Sequence, residues 1–145
     1  MTRADTHVPT FDHTLQTTHR WLRELKYVAA LENEDQAYSL LRSVLHALRD
    51  RLPTDEAVHF GAQLPMLVRG FYYEGWKPSR TPLRQRSLEA FVEGLGPFPR
   101  NAGDLDAEQA LRSVFLMLDH RISEGELADV RATLPEELHG LWPSH

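Results

Sequence analysis

Cysteine is absent from this chain of 145 residues. That absence excludes disulfide bonds, thiolate catalysis and zinc sites built from cysteine. Long apolar runs are also missing, since no segment approaches the roughly eighteen consecutive apolar residues that a membrane-spanning helix needs. Residues 1–10 are polar and contain no apolar signal core, so we expect neither secretion nor membrane insertion.

An excess of basic residues is missing as well. The chain has 16 Lys and Arg against 21 Asp and Glu, a formal net charge of −5. Nucleic-acid-binding domains usually carry the opposite balance, because cations neutralise the phosphates. Glycine-rich phosphate loops, Gly-x-Ser-x-Gly elbows and His-Glu-x-x-His motifs do not occur either. We therefore expect no nucleic-acid partner, no cofactor and no enzyme of these classes.

Apolar residues recur three and four positions apart from residue 11 onward, which predicts amphipathic α-helices. The first helix is predicted over about 11–30, a second ends before Pro53 and a third before Pro65. The second half of the chain repeats this order after a linker rich in Gly and Pro. Thr81-Pro82 is predicted to open its first helix. The stripe of the first helix comprises Leu15, Thr18, Trp21, Leu22, Leu25 and Val28. No alternating strand pattern is present, so the predicted fold class is all-α.

A shift of seventy residues aligns the two halves of the chain. The aligned segments share twelve identities over thirty-six positions without a gap, where average composition would give about two. The identical pairs include Arg42 with Arg112, Ser43 with Ser113, Val44 with Val114, Arg51 with Arg121, Glu56 with Glu126, Pro65 with Pro135 and Gly70 with Gly140. The spacing predicts two copies of one helical module.

This offset predicts the domain organisation. We expect a single domain, 1–145, with module one over about 11–73, a linker over 74–81 and module two over about 82–142. Each module has about three helices and leaves an apolar face uncovered when alone, so the two should pack face to face in one pseudo-symmetric bundle. Most paired positions are core, cap or helix-restarting types, which packing explains without a catalytic role.

Several segments resemble a known family. They are 45–53 (LHALRDRLP), 62–65 (AQLP), 69–76 (RGFYYEGW) and 134–142 (LPEELHGLW). Together they resemble the bacterial family called domain of unknown function 2267, over most of the chain from about Phe11 to Trp142. The resemblance implies an all-helical domain of the bacterial cytosol. It brings no activity, cofactor or catalytic residue with it.

The linker region carries the candidate binding residues. Four cations fall within ten residues, with no acid between Gly75 and Leu88, and three aromatics precede them. Guanidinium groups beside aromatic rings suit a phosphate, an acidic partner or a nucleotide ring. The alternative is a solvated linker whose aromatics seal the joint between modules. The candidates are Tyr72, Tyr73, Trp76, Lys77, Arg80, Arg84 and Arg86.

Eight histidines raise the question of a metal site. His46 and Asp50 stand four residues apart and share a helix face, and His59 lies on the next predicted helix. They are weak metal candidates, because His-x-x-x-His and His-Glu-x-x-His patterns are absent and an ion pair between His46 and Asp50 explains their spacing.

These observations favour an uncharacterised cytosolic helical domain that acts as a protein-interaction or scaffold module. Its partner would be an unidentified protein or a second copy of the chain, with no membrane involved. The alternative is a helical bundle that binds a small ligand or a metal in the crevice between the modules.

Overall fold

The computed structural model describes residues 7–84, 87–95 and 106–143. Those residues form eight α-helices and one short 3₁₀ turn, Pro78–Arg80, and contain no strand. This confirms the predicted all-α helical bundle. The helices are α1 (Pro9–Val28), α2 (Glu34–Arg51), α3 (Thr54–Ala62), α4 (Met66–Tyr73), α5 (Leu88–Gly94), α6 (Ala107–Arg121), α7 (Glu124–Thr133) and α8 (Glu136–His139).

Side-chain caps begin three of these helices. The Asn33 side chain accepts a hydrogen bond from the Gln36 amide at 2.9 Å at the start of α2. Ser87 and Ser123 accept equivalent bonds at the starts of α5 and α7. Such a cap satisfies one of the amides that a helix leaves unpaired at its beginning. The helices α3, α4 and α8 instead begin immediately after a proline.

The start of α5 differs from the prediction. We expected a helix to open at Thr81-Pro82, but α5 begins at Leu88. The intervening chain is tied to the end of α2, because the Leu83 amide donates to the Asp50 carbonyl at 2.8 Å. Ser87 then supplies the cap. A good N-cap at Ser87, six residues after Thr81, together with this tertiary hydrogen bond, outweighs the local preference of Thr-Pro.

One apolar core runs through the bundle. Helix α1 packs against α2, α4 and α6, helix α2 packs against α4 and α6, and α3 packs against α4 and α7. Fully buried residues such as Leu25, Leu41, Phe60 and Phe115 come from both halves of the chain. The described helices include none long and apolar enough to cross a membrane.

Helix positions in the two halves follow the offset of seventy in several places. The helices α3 and α7 begin at 54 and 124, α4 and α8 begin at 66 and 136, and α2 and α6 end at 51 and 121. The last helix, α8, is shorter than α4. The pseudo-symmetric arrangement of two modules stays a prediction.

Candidate binding groove

The aromatic residues that precede the linker differ in their surroundings. Tyr72 is fully buried, and its hydroxyl donates to the Ala57 carbonyl at 2.7 Å. Burial raises the pKa of this hydroxyl above that of a free tyrosine. Tyr72 is therefore a core residue with no surface for a ligand, contrary to the expectation that it joins a surface site.

Tyr73 and Trp76 are half-buried and lie at the end of α4 and just after it. The Tyr73 ring lies between Tyr72, at a centroid distance of 4.9 Å, and Trp76, at 5.4 Å. Gly61 permits this arrangement, because a Cβ there would overlap the Tyr73 hydroxyl and ring. These contacts all lie within the first half of the chain. A sealed joint between the modules and binding of a partner by Tyr73 and Trp76 both stay predictions.

The basic residues of the linker lie at the surface. Lys77, Arg80 and Arg84 are all exposed, on and beside the 3₁₀ turn. Arg86 lies outside the described residues. A site for an acidic partner at these cations stays a prediction.

The weak metal candidates have separate partners. His46 Nε2 lies 2.6 Å from the Phe71 carbonyl, and burial lowers the pKa of this imidazole. Asp50 accepts a hydrogen bond from Arg49 Nε at 2.8 Å, so His46 and Asp50 do not form the expected ion pair with each other. Across the described ranges, no group of three His, Asp or Glu residues is arranged to hold a metal ion.

A group of ionisable residues where α3 packs on α7 was missed by the sequence reasoning. Burial raises the pKa of Glu56, and the nearby carboxylates of Glu126 and Asp129 raise it further, whereas His59 lowers it. One carboxylate oxygen of Glu56 and one of Glu126 are buried without a hydrogen-bond partner among the described residues. The signal was present, because Glu56 and His59 have Glu-x-x-His spacing and the offset pairs them with Glu126 and Asp129.

An open groove of about 610 Å³ lies between α1, α2 and α4. It was not predicted from the sequence. Its polar lining residues are Thr18, His19 and Glu74. Its other lining residues are Leu15, Leu22, Tyr38, Leu67, Gly70 and Phe71.

Large apolar side chains are exposed on α1 and α4. Leu15 and Leu67 line this groove, whereas Met66 lines a separate, more polar groove. Four such side chains, from the first half of α1 and the first turn of α4, form what we call the apolar rim. They are Phe11 (55% exposed), Leu15 (46%), Met66 (50%) and Leu67 (40%). Leu15 belongs to the stripe predicted for the first helix, but the structure packs that stripe inward only from Thr18 onward.

Two contacts between polar side chains lie at the edge of the groove. His19 Nδ1 lies 2.8 Å from a Glu34 carboxylate oxygen, and Arg42 Nε lies 3.3 Å from a Glu74 oxygen. The Thr18 hydroxyl, in contrast, is buried and has no hydrogen-bond partner in the described part of the chain. The groove thus has an apolar floor between short polar edges, the usual character of a surface that binds another molecule.

The position of α4 along the groove is fixed by hydrogen bonds to its two ends. The Leu67 amide donates to Thr14 Oγ1 at 3.0 Å, which joins the start of α4 to α1. Arg49 Nη1 donates at 2.8 Å to the carbonyls of both Tyr72 and Glu74 at the other end. These hydrogen bonds therefore fix α4, which forms one wall of the groove, against α1 and α2.

These features define the class of protein as an all-α helical bundle with a preformed apolar groove. The chain belongs to the family described as "Uncharacterized conserved protein (DUF2267)", whose sequence model matches residues 18–141. This confirms the family that the sequence motifs indicated. None of the curated proteins compared with the chain matches it.

Proposed function

We propose that the protein is an interaction module that binds a protein partner through the groove and its apolar rim. The observation that carries this proposal is the exposure of four Phe, Leu and Met side chains on α1 and α4, the helices that form two walls of an apolar groove. Contiguous exposed apolar surface is uncommon on monomeric soluble proteins and usually marks an interaction site. A cysteine-free chain is compatible with a reducing compartment, so we place this function in the cytosol.

A comparison within the chain supports a binding role. At the offset of seventy, Phe11 corresponds to Thr81, Met66 to Glu136 and Leu67 to Glu137. The helix that begins with Glu136 and Glu137 forms after a Leu-Pro pair, as α4 does. Apolar residues are thus not needed at these positions to build the helix, which favours a role in binding.

The groove best fits an amphipathic helix. Helix α1 has 20 residues, which gives it a length of about 30 Å. An apolar groove along such a helix accommodates side chains spaced three and four residues apart on a partner helix. The contacts of His19 with Glu34 and of Arg42 with Glu74 then provide the polar border that interfaces usually have.

The alternative function, ligand binding in a crevice between the halves, has a different location. A second groove of about 390 Å³ lies between α1 and the α3–α4 junction, and Arg121 of the second half contributes to its lining. Its residues are more polar, and none of the predicted linker or metal candidates lines either groove. We therefore favour the apolar groove as the functional surface.

Site-specific photocrosslinking tests the proposal in cells that produce the protein. A benzophenone amino acid replaces Leu67 in one variant and Glu137 in the matched control. We expect a covalent protein adduct from position 67 and none from position 137. Adding Gly70→Phe should remove the adduct, because a Cβ at Gly70 meets nothing within 4 Å and the ring would occupy the groove. Absence of the adduct, or equal adducts from both positions, would contradict the proposal.

A further inference from the structure

We propose that the occupant of the groove is a second copy of this chain, packed through α1 in antiparallel orientation. This inference rests on the proposed interaction function and names its partner. It follows from the apolar spacing on α1, from the order of charges along the same helix and from the combination of projecting and concave surface on one face.

The apolar spacing provides a seam for helix pairing. Phe11, Leu15, Thr18 and Leu22 are separated by four, three and four residues, so they lie on one face of α1. This is the spacing at which helices pair side by side in coiled coils. In the monomer only the later part of the seam is buried, and Phe11 and Leu15 remain exposed.

A charged stripe runs beside the seam. Asp12, His19, Arg23 and Lys26 are separated by seven, four and three residues and therefore share the neighbouring face of α1. His19 of this stripe lines the groove, whereas Arg23 and Lys26 line another shallow depression, near the end of α1. The stripe begins with a carboxylate and ends with two cations.

This order of charges distinguishes the two ways of pairing α1 with its copy. Antiparallel pairing brings Asp12 of each copy close to Arg23 and Lys26 of the other. Parallel pairing places carboxylate beside carboxylate and cation beside cation, which is unfavourable. Three residues of the stripe also have a contact within their own copy: Asp12 with His7 at 3.0 Å, Arg23 Nε with the His19 carbonyl at 3.3 Å, and His19 with Glu34 at 2.8 Å. Charge complementarity therefore selects the antiparallel arrangement.

An antiparallel pair also matches the shape of the face. With a twofold axis near Thr18, Leu15 of each copy faces Leu22 of the other. The exposed rim of one copy then enters the groove of the other, which a twofold interface requires because the same patch must receive what it presents. The net charge of −5 on each copy opposes association only weakly, since salt screens distant charges more than contacting ones.

Sedimentation equilibrium of the full chain tests the inference at concentrations from micromolar to millimolar. We expect a reversible monomer–dimer equilibrium. Leu15→Glu and Gly70→Phe should each weaken dimerisation by about tenfold or more. The matched control Gly140→Phe should leave it unchanged, because Gly140 occupies the equivalent open position at the end of α8.

Charge reversal tests the orientation. Asp12→Arg alone and Arg23→Asp alone should each weaken the dimer, because each places like charges together. The double variant should restore it, because the pair then re-forms with its charges exchanged. Asp12 also contacts His7 at 3.0 Å, so the unfolding free energy of each variant is measured to separate helix destabilisation from loss of pairing.

The outcomes separate this inference from the proposed function. A chain that stays monomeric, or a dimer that survives both Leu15→Glu and Gly70→Phe, overturns the second copy as occupant. Failure of the double charge variant to recover overturns the antiparallel arrangement. If the monomeric chain still gives adducts at position 67 with a different protein, the interaction function stands without self-association. If position 67 gives no adduct at all, both are overturned.

Discussion

Two arginines of α2 contact Glu74, one of them buried and the other exposed. Arg49, whose side chain is 5% exposed, donates to the Tyr72 and Glu74 carbonyls and to Asp50. Arg42 makes only an exposed ion pair with the Glu74 carboxylate. A buried donor that satisfies several acceptors is costly to remove, since those acceptors lose their partners away from water. An exposed pair contributes little because water screens it.

We predict that Arg49→Met lowers the unfolding free energy by about 2–4 kcal/mol. The matched change Arg42→Met should cost at most about 1 kcal/mol. Methionine retains most of the side-chain volume, so the difference reports lost hydrogen bonds. Urea titration followed by circular dichroism measures both values. Equal losses would show that Arg49 does not hold the end of α4.

The raised pKa of Glu56 has a consequence for stability. Because the folded protein holds this proton more tightly than the unfolded chain does, the group favours folding most at pH values below the ordinary glutamate pKa. That contribution is lost as the pH rises through the higher pKa of the folded state. The carboxylates of Glu126 and Asp129 cause part of this loss, and His59 partly offsets it.

We predict that Glu56→Gln stabilises the protein more at about pH 7 than at about pH 4. Glutamine cannot ionise beside Glu126, so the variant avoids the penalty that the wild-type chain acquires on deprotonation. Urea unfolding at a series of pH values gives the difference between the two proteins. Glu137→Gln, at an exposed position of α8, is the control. If the unfolding free energies of Glu56→Gln and the wild-type chain become more similar toward neutral pH, the raised pKa of Glu56 is contradicted.

The sequence predicted which residues share a helix face, but it did not predict the hydrogen-bond partner of each side chain. His46 and Asp50 do lie on one helix, but α4 supplies the carbonyl that His46 contacts and Arg49 supplies the partner of Asp50. Spacing along one helix does not show what lies opposite it. For the same reason Tyr72 was assigned to a surface that the fold buries.

Among the helices, α5 depends on one side chain of another helix. Arg51, at the end of α2, donates to its own Ala47 carbonyl at 3.0 Å and to the Ala90 carbonyl of α5 at 3.1 Å. Its guanidinium also lies over the Phe91 ring, 5.1 Å from the centroid. The sequence identified Arg51 only as a position shared with Arg121 at the offset of seventy, and the link to α5 was not predictable from that position.

We predict that Arg51→Met loosens α5 more than the rest of the bundle. Without the guanidinium, the Ala90 carbonyl and the Phe91 ring lose their link to α2. Amide hydrogen exchange should become about tenfold faster in α5 while α2 keeps most of its protection. Arg121→Met is the matched control, since Arg121 pairs with Glu24 of α1. Equal acceleration in α5 for both variants would contradict this role.

Helix boundaries were predictable where a cap or proline marks them. The second and third helices end close to their predicted positions because Pro53 and Pro65 interrupt the pattern. The start of α5 was wrong because a tertiary hydrogen bond from Leu83 overrode a local signal. The exposure of Leu15 was also unpredictable, since periodicity identifies a face but not whether anything covers it.

At the scale of the whole molecule, the two halves use similar helices for surfaces of different character. Helix α4 begins with Met66 and Leu67, whereas α8 begins with Glu136 and Glu137. Only the first half therefore presents an apolar rim at this position, and the difference is visible once the groove beside α4 is known. The sequence predicted the duplication, but the functional contrast needed the positions of α1 and α4 in space.

The most direct test replaces Met66 and Leu67 with glutamate, the residue that stands at the corresponding positions 136 and 137 of the second half. We predict that the double variant Met66→Glu/Leu67→Glu keeps its unfolding free energy within about 1 kcal/mol, because both side chains are exposed and acids favour a helix start. Sedimentation equilibrium of the same protein should show the monomer at concentrations where the wild-type chain is dimeric. A stable, folded variant that associates as the wild type does would contradict the claim that this face is the binding surface.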